Sequence, residues 1–275
     1  MPEIDYESEY NNRRRVPENP EIMARWASAS ARVRSSLASE LDLSYGPGHR
    51  NRYDLFKPAS ITAETPVIAY IHGGYWQRGD RADYSFVAEA LVAKGAMVVL
   101  PSYTLCPEAS VADIIDEMRQ FLVALWQGLE RRPVVVGHSA GGHLAAALLA
   151  TDWTRHGVPS DLVRAGYSIS GVFELEPLVP TSLNEALRLT PQSAREASPA
   201  LWPAPPADRT FVAAVGGAES REFLRQSLDI SAAWSAAGVK AECVVVPNAN
   251  HFTIVDELAR PESAMVQRVL QLARL

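Results

Sequence analysis

Apolar and polar positions along this chain change their period more than once, and each change marks a different kind of element. Residues 1–19 are polar and punctuated by proline. After them Ile22, Trp26, Ala29, Val33 and Leu37 recur at helical spacing, which predicts an amphipathic helix that needs an apolar surface to lie on. Together these form an amino-terminal extension over about residues 1–40. Two alternating segments, 41–45 and 50–56, are split by Gly46, Pro47 and Gly48 and stopped by Pro58. They predict an antiparallel hairpin at a sheet edge.

From residue 67 onward, continuous apolar runs alternate with amphipathic stretches. Strands are predicted at 67–71, 96–100, 134–136, 162–169, 211–215 and 242–246, with helices at 84–94, 111–129, 144–150, 222–234 and from about 263. Strands this uniformly apolar belong in a mostly parallel, doubly wound α/β sheet covered on both faces, with ligand sites at the carboxyl ends of its strands. The rhythm fails over residues 171–206, a proline-rich stretch with two short apolar patches. A segment that long without periodicity is read as a small cap inserted over the active site.

Composition narrows the reading. A chain of 275 residues, 47% of them apolar, supports one large core and a single domain. Its net charge of -6 argues against nucleic acid or an anionic membrane as partner. The basic run Arg13, Arg14, Arg15 sits between Glu9 and Glu18 and is read as a solvated face. Cys106 and Cys243 are too few for a disulfide framework and lack metal-binding spacing, so core packing is expected. With no secretion-signal pattern at the amino terminus and no run of about eighteen apolar residues, a soluble cytoplasmic protein acting on a small molecule is expected; a homodimer stays open.

Chemistry enters with GHSAG at residues 137–141, lying between an apolar strand and a helix-prone run. A GxSxG pentapeptide turns a strand sharply into a helix and lifts the serine oxygen above the sheet edge, which makes Ser139 the candidate nucleophile. A serine hydroxyl needs an imidazole to take its proton, and the imidazole needs a carboxylate to fix its tautomer. His251, in the loop NANHF after a late strand, is the candidate base. His143 on the helix behind Ser139 reads as a packed or solvated histidine. The acid should follow strand 211–215, where Glu219 is the first candidate and Glu222 the reserve. Either glutamate can instead serve the positive amino end of its helix. The segment IHGGYW at 71–76 follows another strand, and the amides of Gly74, Tyr75 and Ala140 are candidates to stabilise an oxyanion. His72 is read as orienting that loop. Tyr75, Trp76 and the cap residue Phe173 are candidate stacking partners for an aromatic substrate.

HGGYW, SYTLCPE at 102–108, GHSAG, SGVFELEPL at 170–178 and the NANHF histidine resemble the arylformamidase (kynurenine formamidase) branch of the α/β-hydrolases. That branch is similar to the hormone-sensitive-lipase-like esterases, whose HGGG has glycine where this chain has Tyr75. The resemblance runs from about Tyr45 to the carboxyl terminus. It implies an α/β-hydrolase fold, cleavage of N-formyl-L-kynurenine to kynurenine and formate without a cofactor or metal, and a triad matching Ser139, Glu219 and His251. Relatives commonly carry aspartate at the acid position, where this chain has glutamate. A carboxylesterase on small esters, a thioesterase, or a noncatalytic hydrolase fold that binds a small molecule are the rival readings.

Overall fold

A computed structural model describes residues 4–275. Its strands are β1 (Ser39–Ser44), β2 (Arg52–Phe56), β3 (Val67–Ile71), β4 (Met97–Pro101), β5 (Val134–His138), β6 (Ala165–Ile169), β7 (Thr210–Gly216) and β8 (Lys240–Val246). They form one sheet in the order β1-β2-β4-β3-β5-β6-β7-β8. β1 and β2 pair antiparallel with each other, β2 pairs antiparallel with β4, and every other pairing is parallel. The expected edge hairpin and the mostly parallel α/β sheet are therefore both present. Strands β3 to β7 are buried throughout, which is why they read as unbroken apolar runs.

The helices are α1 (Tyr6–Tyr10), α2 (Asn12–Arg15), α3 (Asn19–Ser36), α4 (Ala88–Ala93), α5 (Val111–Leu129), α6 (Ala140–Leu149), α7 (Asn184–Leu187), α8 (Pro191–Glu196), α9 (Arg221–Ala236) and α10 (Ala264–Leu272). One core layer joins one face of the sheet to α5, α6, α9 and the 171–206 segment. The other joins the opposite face to α3, α4 and α10. In the second layer Trp26 of α3 stacks on Phe86 and donates through Nε1 to Asp256, so the predicted amphipathic helix has found its apolar surface.

Three local expectations change. The segment 84–94 begins as a 3-10 turn, Arg81–Val87, before α4. The strand expected to start at 162 starts at Ala165, although Leu162 and Val163 are buried. Residues 1–19, polar and proline-punctuated with no element predicted in them, hold α1 and α2, each started by a side-chain cap, Asp5 accepting from the Ser8 amide and Asn11 from the Arg14 amide. Helices of one turn are too short to show a period in sequence.

Candidate active site

At the carboxyl ends of the central strands, β5 turns into α6 through a single residue, Ser139. Its backbone sits at φ 56°, ψ -116°, a conformation that side-chain-bearing residues rarely adopt. Strain of this kind costs on the order of 1–3 kcal/mol and persists only where the surroundings enforce it. Here they do, because the Ser139 amide donates to Ile169 O at 2.8 Å and its carbonyl accepts from the His143 amide at 3.0 Å. The flanking glycines are there for space. A Cβ on Gly137 would lie 2.0 Å from Gly141 O, and one on Gly141 would lie 2.0 Å from Ile71 O.

The loop after β7 supplies Glu219, and the loop after β8 supplies His251. Glu219 Oε2 lies 2.7 Å from His251 Nδ1. Glu219 Oε1 accepts from the Gly216 amide at 2.6 Å and from the Ser170 hydroxyl at 2.5 Å. A buried carboxylate is tolerable when its lone pairs are filled in this way. Glu222, the reserve acid, points elsewhere: its Oε2 accepts from the Tyr10 hydroxyl at 2.8 Å and pairs with Arg225 at 2.9 Å.

The HGGYW loop is wound tightly, with φ of 118° at Gly74, 50° at Tyr75 and 54° at Trp76. Gly74 and Tyr75 face a cavity of about 410 Å3 that is also lined by Ser139, His251 and His138. That volume lies in the range of small-molecule sites. Ala140, the first residue of α6, is buried beside Ser139, and an amide in a helix's first turn has no intrahelical acceptor. Leu183 and Ala186 of the 171–206 segment close one side, and Asn11, Asn12 and Arg13 of the amino-terminal extension close another. Among the described residues, no cluster of three or more His, Cys, Asp or Glu side chains is placed to hold a metal ion. Nor is any described helix long and apolar enough to cross a membrane.

Comparison with known proteins agrees with this architecture. A family model described as BD-FAE matches residues 53–169. A kynurenine formamidase from Danio rerio is 31% identical over 251 residues, covering 89% of this chain and 85% of its own length. One from Salmo salar is 32% identical over 88% of this chain and 84% of its own. This chain belongs to the kynurenine formamidase family of α/β-hydrolases. The crystal structure of a thioesterase by provisional assignment, from Silicibacter sp. TM1040, superposes with a TM-score of 0.87 at 32% identity, covering 98% of this chain and 100% of that one.

Against this family framework, two of the rings expected to stack on substrate are displaced. Trp76 is fully buried and meets His143 edge-on, with ring centroids 4.9 Å apart. Phe173 is also fully buried, packed edge-on against Phe211 at 6.0 Å. Neither lines the cavity, because each serves the core behind the site; the rings that do line it are Tyr75, Tyr84 and Phe252. Tyr75 is held by its hydroxyl, which donates to Tyr10 O at 2.6 Å. Arg13 is exposed, in keeping with its reading as part of a solvated run, and it also sits on the cavity wall.

Two residues escaped the sequence reading. His138 donates from Nε2 to the His251 carbonyl at 2.7 Å, since a carbonyl only accepts, and so pins the loop that carries the imidazole. Ser170, with φ 52°, is the hydroxyl on Glu219. The available signal for His138 was its place beside Ser139 at a strand end.

His72 and His143 behave as the sequence suggested. His72 stacks on Tyr103 with centroids 4.4 Å apart and donates to Gly73 O at 2.8 Å, whereas His143 contacts Ala197 O through Nε2 at 2.7 Å. Burial holds both imidazoles down at about 4 and holds His138 well below the ordinary histidine value, with the neighbouring His251 contributing to the last. The unfolded chain takes up protons at these positions that the native state refuses. Stability that is intact above pH ~6.5 is therefore lost as pH falls toward ~4, at about 1.4 kcal/mol per pH unit for each group. The urea midpoint is expected to drop steeply between about pH 6.5 and 5, before most carboxylates titrate; a midpoint unchanged over that interval would contradict the burial of these rings.

Proposed function

We propose that this hydrolase cleaves aryl formamides, N-formyl-L-kynurenine foremost, by a serine mechanism. Ser139 Oγ attacks the formyl carbon while its proton passes to His251 Nε2. Glu219 keeps the proton on Nδ1 and stabilises the imidazolium as it forms. The amides of Gly74, Tyr75 and Ala140 meet the charge that develops on the carbonyl oxygen, each such donor contributing about 3 kcal/mol in comparable sites. The C–N bond then breaks, and the aromatic amine leaves with the proton from His251. Water activated by the same imidazole releases formate from the formyl-serine. The reaction as written uses no cofactor beyond water, and the 171–206 segment serves as its cap.

The observation that carries this reading is the Glu219–His251 hydrogen bond opening onto the cavity that Ser139 lines. Membership of the kynurenine formamidase family supports the substrate class, as does the aromatic and aliphatic wall formed by Tyr75, Tyr84, Phe252 and Leu183. The rival that shares all this machinery is a carboxylesterase. Side-by-side kcat/KM values on N-formyl-L-kynurenine and 4-nitrophenyl acetate separate them: the formamide is expected to be the better substrate, and a hundredfold preference for the ester would replace the formamidase reading by the esterase one. A protein of cytoplasmic location acting on a tryptophan catabolite fits this assignment.

A further inference from the structure

The cavity carries more hydrogen-bond donors than the proposed acyl chemistry uses. Arg13 and Arg78 both lie on its wall. Neither forms an ion pair among the described residues, although arginines elsewhere on the chain pair repeatedly with carboxylates. Among the described residues, the one side-chain hydrogen bond of Arg13 is to the Met23 sulfur at 3.6 Å. Beside them are two amides whose donors are buried and unused: Nδ2 of Asn12, a residue only 4% exposed, and Nε2 of Gln77. Unsatisfied buried donors are uncommon, and two on one cavity wall together with two unpaired cations call for an acceptor from outside the chain.

We propose that Arg13, Arg78, Asn12 and Gln77 form a carboxylate-recognition site on the wall of the cavity, which selects substrates bearing an α-amino acid tail. An ionised carboxylate has two oxygens and about four lone-pair positions, enough to occupy a guanidinium fork and the neighbouring amides. Partial desolvation and the proximity of Arg13 lower the Arg78 pKa, the direction expected of two cations facing a shared space without a counter-ion. Glu185, the one acidic side chain on the lining, suits the ammonium of the same tail. The site is assembled by the amino-terminal extension. The Glu7 carboxylate accepts from the Ser182 amide at 2.8 Å and its hydroxyl at 2.9 Å, and Gln226 Nε2 donates to the Tyr10 hydroxyl at 2.5 Å, so α1 is anchored to the cap and to α9, and α2 follows it after the single residue Asn11. Arg13 and Asn12 are thereby held over the chamber that contains Ser139.

This inference rests on the proposed aryl formamide reading for its choice of ligand, and a binding experiment tests it separately from turnover. Ser139→Ala protein is titrated calorimetrically with L-kynurenine and with kynuramine, which lacks only the carboxylate. Kynurenine is expected to bind at least tenfold tighter, the worth of a charge-assisted contact. That preference is expected to weaken as sodium chloride is raised and to collapse in the Arg13→Gln/Arg78→Gln background. Both arginines are exposed and form no ion pair among the described residues, and an unchanged melting temperature verifies that the fold survives their replacement. Undetectable kynurenine binding, equal affinities, or a preference that persists in the double variant would each overturn the site. If wild-type protein fails to cleave N-formyl-L-kynurenine while the Ser139→Ala protein still prefers kynurenine, the formamidase reading falls and the carboxylate site stands.

Discussion

Replacing Ser139 by alanine is expected to lower turnover by about six orders of magnitude, as removal of a triad nucleophile does elsewhere, with substrate affinity retained. The size of the effect follows from the absence of a substitute at that point in the cavity. Ser182 also lines the chamber, but its hydroxyl is committed to the Glu7 carboxylate of α1 at 2.9 Å. Ser170 shares the left-handed backbone of Ser139, yet it is buried and donates to Glu219 rather than facing substrate. The measurement is single-turnover formate release, paired with mass spectrometry of the peptide carrying the acyl group. A variant retaining a tenth of normal turnover would remove Ser139 from the role of attacking group.

The sheet was legible because its central strands are buried on both faces: an apolar run such as 134–136 has no competing interpretation once helical stretches flank it. The elbow was legible because close backbone approach leaves only glycine at Gly137 and Gly141. Chain order placed Glu219 and His251 after successive strands, and they meet. What faces the cavity was less readable, since an aromatic ring suits a core and a binding wall equally well. Trp76 and Phe173 went to the core, while Tyr84 and Phe252, unremarkable in sequence, reached the wall. The contribution of residues 11–13 was invisible for another reason. It depends on contacts such as Tyr75 hydroxyl to Tyr10 O and Tyr10 hydroxyl to Glu222, which join positions far apart in the chain and leave no local pattern.

Glu219→Gln is expected to reduce kcat by about four orders of magnitude with little change in KM, the loss that a misplaced imidazole proton produces. The reason lies in the donors around the carboxylate. Oε1 receives the rigid Gly216 amide and the Ser170 hydroxyl. A glutamine must therefore turn its carbonyl oxygen toward them, because an NH2 there would confront the Gly216 N–H. Its NH2 then faces His251 Nδ1, where the native carboxylate lies at 2.7 Å. Such a donor stabilises the tautomer in which Nδ1 accepts and Nε2 holds the proton, so the nitrogen meant to take the Ser139 proton is already occupied. Glu219→Asp keeps the charge but shortens the reach, and is expected to lose less. Glu222→Gln disturbs only the Tyr10 and Arg225 contacts, remote from the imidazole. The order of kcat values, with Glu222→Gln highest and Glu219→Gln lowest, is read directly from steady-state kinetics on N-formyl-L-kynurenine. Equal losses at the two glutamates would mean that the carboxylate acts through the fold and not through the proton on Nδ1.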